Sequence, residues 1–452
     1  MKAIKIAGAL ALVLCSSTAL AQELKFAPGE DDRFTWQSFE DFKGKHDLSG
    51  QRLTIFGDWL GQEQDIFNSV IAYFEEATGA DVSFSGSDSF EQQIVIDTQA
   101  GSPPNIAIFA QPGIAANLAA EGRLAPLGQE TADWVRENYA AGESWVDLGT
   151  YTGKDGTDGF YAFPYKADVK SLVWYVPENL EDAGYEVPET LEDLKALTEQ
   201  IVADGGTPWC IGLGAGGATG WPATDWVEDM MLRTQPPEVY DQWVTNEIPF
   251  NDERVVGAIE EFGWFATNPD FVAGGPEAVV STDFRDSPAG LFASPPQCYL
   301  HHQASFIPSF FPEGTEVGVD ADFFYMPAYA ERDLGNPVLG SGNIVAITAD
   351  SEAARAFIEF LKTPIAHELW MAQSGFLTPF KQAKPDAYAN EPLKKQGEIL
   401  TSATTFRFDG SDLMPGSIGA GAFWTGMVDY VGGKPAKQVA DEIQKAWDAI
   451  KK

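Results

Sequence analysis

Asp409 and Asp412, three residues apart, and Asp58 and Asp88, thirty apart, offer the carboxylate pairs from which chemistry on a glycosidic bond is built. A hydrolase needs its two carboxylates at a set separation in space, and spacing along the chain does not supply one. His301-His302 is an adjacent histidine pair, and the two other histidines stand at 46 and 367. Neighbours on a strand point to opposite sides, so the pair is a poor start for a metal site and none is expected. Gly212, Gly214 and Gly217 satisfy G-x-G-x-x-G behind the apolar stretch Ile211-Gly212-Leu213, the pattern of a phosphate-cradling turn. Gly220-Trp221-Pro222 then interrupts the helix start that such a turn requires, which favours a flexible turn lining a cleft. Tryptophan stands out, with 13 copies. Its flat apolar face with one polar edge suits either a core or the face of a pyranose ring. The chemistry on offer divides between cleaving a sugar, as a glycoside hydrolase would, and holding one. A structural or adhesive role is the third reading.

These side chains need a framework, and hydrophobic periodicity outlines it. Leu53 to Phe56 reads as a buried strand, followed by a helical stripe of Ile66, Phe67, Val70, Ile71 and Phe74 that Gly79 stops. Val82 to Phe84 alternates as a strand, Phe90 to Ala100 reads as a helix and Ile106 to Phe109 as a third strand. Strands alternating with helices indicate a parallel sheet covered by helices, and ligands of such sheets collect at the carboxyl ends of the strands. That rule selects Gly57-Asp58-Trp59, Ser87-Asp88-Ser89 and Ala110-Gln111-Pro112. Further along, Leu172 to Tyr175 and Ile211 to Leu213 read as strands, and Thr190 to Ala203 as a helix. Asn343 to Thr348 and Glu352 to Lys362 form another strand and helix. The chain ends in an amphipathic helix whose stripe is Val439, Ile443, Trp447 and Ile450.

Lys2 and Lys5, the apolar run from Ile6 to Leu14 and the small residues Ala19 and Ala21 read as a cleavable secretory signal over residues 1–21. The mature chain then starts at Gln22. Leu14 stands where a lipidation motif before Cys15 wants Gly, Ala or Ser, so Cys15 leaves with the signal. Cys210 and Cys298 remain in an oxidising compartment, where a structural disulfide is the economical reading. No later stretch has the 18 or so apolar residues of a membrane span, so a soluble mature chain is expected. A net charge of −38 argues against nucleic acid and anionic membrane surfaces as partners. At 452 residues, 44% of them hydrophobic, the chain can fill two to three domain cores, or two large lobes sharing one binding task.

The stretch from Asp158 to Trp226 narrows the choice. It runs DGFYAFPYKADVKSLVWY, then VPENLEDAGYEVPETLEDLKALTEQI, then GTPWCIGLGAGGATGWPATDW. In order and content this resembles the extracellular solute-binding proteins of carbohydrate ABC importers, whose pattern is Gly-x-x-Tyr-x-x-Pro-Tyr, a strand ending Trp-Tyr, an Ala-Gly turn, a Pro-x-Thr helix start and a glycine-rich turn before a Trp. The likeness continues through GSGNIVAIT, SGFLTPF and the C-terminal helix. SPPQCYLHHQASF and FRFDGSDLMP are most similar to the periplasmic α-glucoside-binding branch. One departure is Asn105, where Pro-Asp-Ile is frequent in the family.

The resemblance implies an α/β, two-lobed periplasmic-binding-protein fold of type II, like maltose-binding protein, with a hinged cleft between the lobes. Lobe one would take residues 22–160 and a return over 324–373. Lobe two would take 161–323 and 374–452. Crossings are expected near Ala162-Phe163-Pro164, Met326-Pro327 and Ser374-Gly375. The sugar site would draw Asp58, Trp59, Asp88 and Gln111 from strand ends and Tyr165, Lys166 and Asp168 from just past the first crossing. Trp221 and Trp264 would offer stacking faces, Tyr299 and His302 would sit on the turn after Cys298, and Arg407, Asp409 and Asp412 would form a charged loop. The implied function is capture of an α-glucoside such as sucrose, trehalose or maltose in a Gram-negative periplasm, by a monomer without cofactor, for delivery to the importer's inner-membrane permease.

Overall fold

The computed structural model describes residues 24–140, 142–373 and 375–450. The signal segment, Cys15, the Gln22 terminus and Ser374 lie outside the described residues. No helix among the described residues is long and apolar enough to cross a membrane.

Leu53 and Ile55 are buried, Phe56 is nearly so, and the strand they form, β1 (Arg52–Gly57), lies parallel to β2 (Asp81–Gly86) on one side and β3 (Ile106–Phe109) on the other. Between them run helices α1 (Gln62–Thr78) and α2 (Phe90–Ala100), and α3 (Pro112–Ala120) follows β3. Gly79 and Gly101 end α1 and α2 in the left-handed conformation that glycine adopts without a Cβ penalty. Asn105 explains its own departure: its Oδ1 accepts from the Thr54 N–H and hydroxyl, while its Nδ2 donates to the Ala349 carbonyl at 3.2 Å. A carboxylate there has no proton for the second role.

Two long strands connect this sheet to the rest. Every residue of β4 (Ala162–Val169) is buried, as is every residue of the eleven-residue strand that pairs antiparallel with it. Before that partner come β5 (Leu172–Tyr175), β6 (His301–His302) and β7 (Asp322–Tyr325), a separate three-stranded sheet with β5 in the middle. The partner itself, β8 (Pro337–Ile347), pairs antiparallel with β3 through Ile344–Ile347. Its other end pairs parallel with β9 (Thr405–Phe408) through residues 337–340. The β4–β8 ribbon therefore runs from one lobe into the other, with a bulge at Asn343/Ile344 in its middle.

The second crossing differs from the one expected. Met326 donates its N–H to the Ser171 carbonyl, and the carbonyls of Met326 and Pro327 accept from buried Arg233, so this segment stays with the second lobe. The passage occurs later, inside β8. The third passage also falls late, because Lys381 and Ala389 still bond to Asn138 and Met371 of the first lobe. It comes after that point, before β9 joins β8.

Helices α4 (Leu191–Ala203), α5 (Trp221–Thr234) and α6 (Glu253–Ala266) build the second core, with Trp209, Trp226, Phe262 and Trp243 among its buried side chains. Thr190 caps α4 by accepting the Asp193 N–H, which places the helix start one residue later than its periodicity suggests. Ile211 to Leu213 is not a strand. Trp209 and Gly214 form isolated bridges on either side of it, and Gly212 leaves no room there for a Cβ. The helix Glu352–Leu361, here α7, packs seven buried side chains onto the first lobe. A one-turn helix, α8 (Gly410–Leu413), follows β9, and α9 (Ala436–Ile450) closes the chain. Val439, Ile443 and Trp447 of α9 are buried, whereas Ile450 is exposed. Cys210 and Cys298 are joined by a disulfide with their Cα atoms 5.5 Å apart.

Candidate functional site

Period two along β4 puts Lys166, Asp168 and, one step past the strand, Lys170 on one side of the ribbon. All three line a cleft between the lobes, with Ser341, Gly342 and Asn343 of β8 beside them. The ribbon is thus both the connection between the lobes and the floor of the cleft. The carboxyl ends of β1 and β2 bring Asp58, Trp59, Ser87 and Asp88 to the first wall, and Gln111 joins them after β3. The first turns of α1 and α2 add Glu63 and Glu91. The opposing wall carries Trp221, Phe284, Arg285, Phe306, Asp409 and Asp412. The cleft encloses about 790 Å³ not filled by protein atoms, open solvent at its mouth included.

Lys166 Nζ bridges Asp168 at 3.1 Å and Glu63 at 3.3 Å. Burial alone would depress its pKa, but the two carboxylates outweigh it and hold the ammonium above its ordinary range. Lys170 bridges Asp225 and Asp409, again with burial outweighed. Behind it, Glu228 is fully buried and accepts the N–H groups of Gly410 and Ser411, while Asp409 accepts that of Asp412. These bonds satisfy the N-terminal donors of α8 and hold Asp412 at the cleft. Burial, reinforced by Glu63, pushes Asp58 up to about 7; burial and the Asp58 charge push Glu91 up to about 8. Asp412 lies well above the carboxylate range because it is buried near Asp409. The buried Gln111 Oε1 has no hydrogen-bond partner among the described residues.

Aromatic rings frame this polar lining. Trp221 is half-buried, meets Phe284 edge-on at 4.8 Å between centroids and lies 5.3 Å from Lys170 Nζ. Trp59 is buried between Phe67 and Trp370, so its ring is fixed in the wall. The lobes also touch at two places beside the cleft. Gly217 donates its N–H to the Asp88 carbonyl, and Gln92 Nε2 donates back to the Gly217 carbonyl at 3.0 Å. In the other contact Gly113 lies so close to Met414 that a Cβ would meet its carbonyl oxygen at 2.0 Å. Of the glycine fingerprint, Gly217 serves this lobe contact, whereas Gly212 and Gly214 pack against Thr282 and Asp283 within the second lobe.

Five residues expected in the site lie elsewhere. Tyr165 falls on the opposite face of β4, where its hydroxyl donates to the Ala366 carbonyl inside the first core. Trp264 packs on Phe265 and Phe271 under Lys195. Tyr299 meets Tyr185 edge-on. His302 bonds through Nε2 to Asp229 and packs on Trp226 inside the second core. Arg407 pairs with Asp241 on the outer surface. Conversely, Glu63, Glu91, Lys170, Phe284, Arg285 and Phe306 line the cleft without having been singled out in the sequence. For Lys170 the signal was there, as the next step of the period that carries Lys166 and Asp168.

A two-lobed α/β protein with a polar, aromatic-framed cleft on its connecting ribbon is a solute receptor by architecture, and comparison with known proteins agrees. The chain belongs to the bacterial extracellular solute-binding protein family, which it matches over residues 60–368. It is 69% identical to the alpha-glucosides-binding periplasmic protein AglE of Rhizobium meliloti, with all of both chains covered. It is 42% identical to the osmoprotective compounds-binding protein GgtB of Synechocystis, over 89% of this chain and 93% of that one. Among solved structures, the bacterial solute receptor AcbH superposes with a TM-score of 0.75 at 17% identity, covering 89% of this chain and all of that one. The protein is a binding protein of this family and not an enzyme, so the hydrolase reading of the aspartate pairs is set aside.

Proposed function

We propose that the protein captures α-glucosides in the periplasm and delivers them to the permease of an ABC importer. The observation that carries this reading is the cleft: carboxylates, amides and aromatic rings from both lobes converge on one space, the two chemistries a sugar requires. The full-length likeness to an alpha-glucosides-binding periplasmic protein supports the substrate class. Capture involves no bond chemistry. A sugar touching both lobes stabilises the closed form by its differential affinity for it, and the permease recognises that closed shape. One sugar binds per chain, and the chain acts as a monomer after its signal segment is removed at Gln22.

A thermal-shift panel tests the substrate class. Ligand at a hundredfold excess over its Kd adds about 2.7 kcal/mol to stability, so sucrose, trehalose or maltose should raise the melting temperature while glucuronides and sugar phosphates leave it unchanged. A shift from none of the three α-glucosides overturns the assignment.

A further inference from the structure

The cleft lining holds more carboxyl groups than cations, seven against Lys166, Lys170 and Arg285. Lys166 is committed to Asp168 and Glu63, and Lys170 to Asp225 and Asp409. Asp58, Glu91 and Asp412 line the same space without an ion pair among the described residues. They arrive from three places: the end of β1, the first turn of α2 and, across the cleft, α8. Glu91 and Asp412 are 7% and 5% exposed. Glu91 lies within electrostatic reach of Asp58 and Asp88, and Asp412 within reach of Glu91, Asp409 and Asp225. On the positive side, Lys166 and Arg285 face Asp58, and Lys170 faces Asp412. Arg285 is held by Asp283 only at 3.4 Å.

A second observation points the same way. Gln111 is 8% exposed and lines this wall, and its carbonyl oxygen has no donor among the described residues. The same lining also holds an unpartnered buried donor among the described residues, Arg285 Nε. Without a bound cation, burial favours the protonated forms of Asp58, Glu91 and Asp412, and an arriving cation takes the place of those protons. An ammonium supplies three donors and a full charge at one point, and its hydrogen bonds to carboxylates are roughly twice as strong as neutral ones.

We propose that the cleft takes α-glucosides carrying a cationic amino group more tightly than their neutral parents, with the ammonium held between Asp58, Glu91 and Asp412. The proposal rests on the reading of the cleft as an α-glucoside site. Calorimetric titration of the mature protein at neutral pH tests it, comparing trehalose and maltose with their 2-amino-2-deoxy and 6-amino-6-deoxy forms. At least one amino form should bind about tenfold or more tighter than its parent. In Glu91→Gln and in Asp412→Asn that gain, taken as the ratio of amino form to parent within the same variant, should fall below about threefold. Amino forms that all bind as weakly as, or more weakly than, a parent that binds normally overturn the proposal and leave the α-glucoside reading standing. Silence from every sugar sinks both. Should a variant fail to fold, the wild-type comparison of parent with amino form decides alone.

Discussion

In the proposed sugar site Trp221 is the ring placed to stack, because it is half-buried at the cleft while most other tryptophans are locked in cores. Trp221→Ala should weaken α-glucoside binding by about 2 kcal/mol or more, the scale of a central hot spot, with the fold retained. Trp264→Ala, which removes a ring packed outside the cleft, should leave affinity unchanged; titration of both variants separates stacking from packing. Glu91 makes a pH prediction. Its pKa is raised from 4.5 to about 8, so between those values the folded state holds a proton that the unfolded state has released. Stability therefore declines as pH rises through that window and levels off above it, and Asp58 adds the same sign up to about 7. Glu91→Gln removes one titrating group, so relative to wild type it should gain about 1 to 3 kcal/mol between about pH 5 and pH 9, read from denaturant melts of the ligand-free protein. An unchanged difference would mean that Glu91 titrates normally. Position at a strand end made Asp58 and Gln111 legible in the sequence, and the family-like segment at 158–226 did the same for Lys166 and Asp168. Glu63, Glu91 and Arg285 were illegible because only tertiary packing aims them inward. Tyr165 departs from its expected place because strand alternation sends every second side chain to the opposite face, whatever its adjacency along the chain.

Elements of local origin were read closely, and elements defined by distant pairing were not. Helix α2 and strands β3 and β5 match their periodic runs because their own apolar residues decide them. The apparent strand at 211–213 fails because its neighbours are a bridge on each side and no ladder, a fact set by residues sixty or more positions away. The Met326-Pro327 crossing fails for a related reason: buried Arg233 ties those two carbonyls into the second lobe, and no local signal reports it. The lobe contacts also belong to this scale. Gly113→Ala places a Cβ 2.0 Å from the Met414 carbonyl oxygen, a contact that backbone can relieve only by moving the lobes apart. Alanine is otherwise the better helix former, so the isolated lobe loses nothing. The variant should keep its ligand-free melting temperature yet bind α-glucosides about tenfold or more weakly, and small-angle scattering should find it open in saturating sugar. Wild-type affinity in this variant would show that closure does not need the contact.

At the scale of the molecule, the two cores and the connecting ribbon make one device in which the second lobe carries a covalent staple. The Cys210–Cys298 bond spans a separation of 88 residues. In the chain-entropy account a loop of that size stabilises by roughly 4 kcal/mol, so Cys210→Ser with Cys298→Ser should lose about that much in denaturant melts. Unreduced, unfolded wild type should show no thiol to a labelling reagent; two labelled thiols would refute the bond in solution. Reversible capture of an intact α-glucoside is decided by calorimetric titration of mature protein with sucrose, trehalose and maltose, followed by chromatography of the recovered sugar. At least one of them should saturate at one molecule per chain, reverse on dilution and be recovered whole. Absence of binding by all three, or glucose released during the titration, would contradict it.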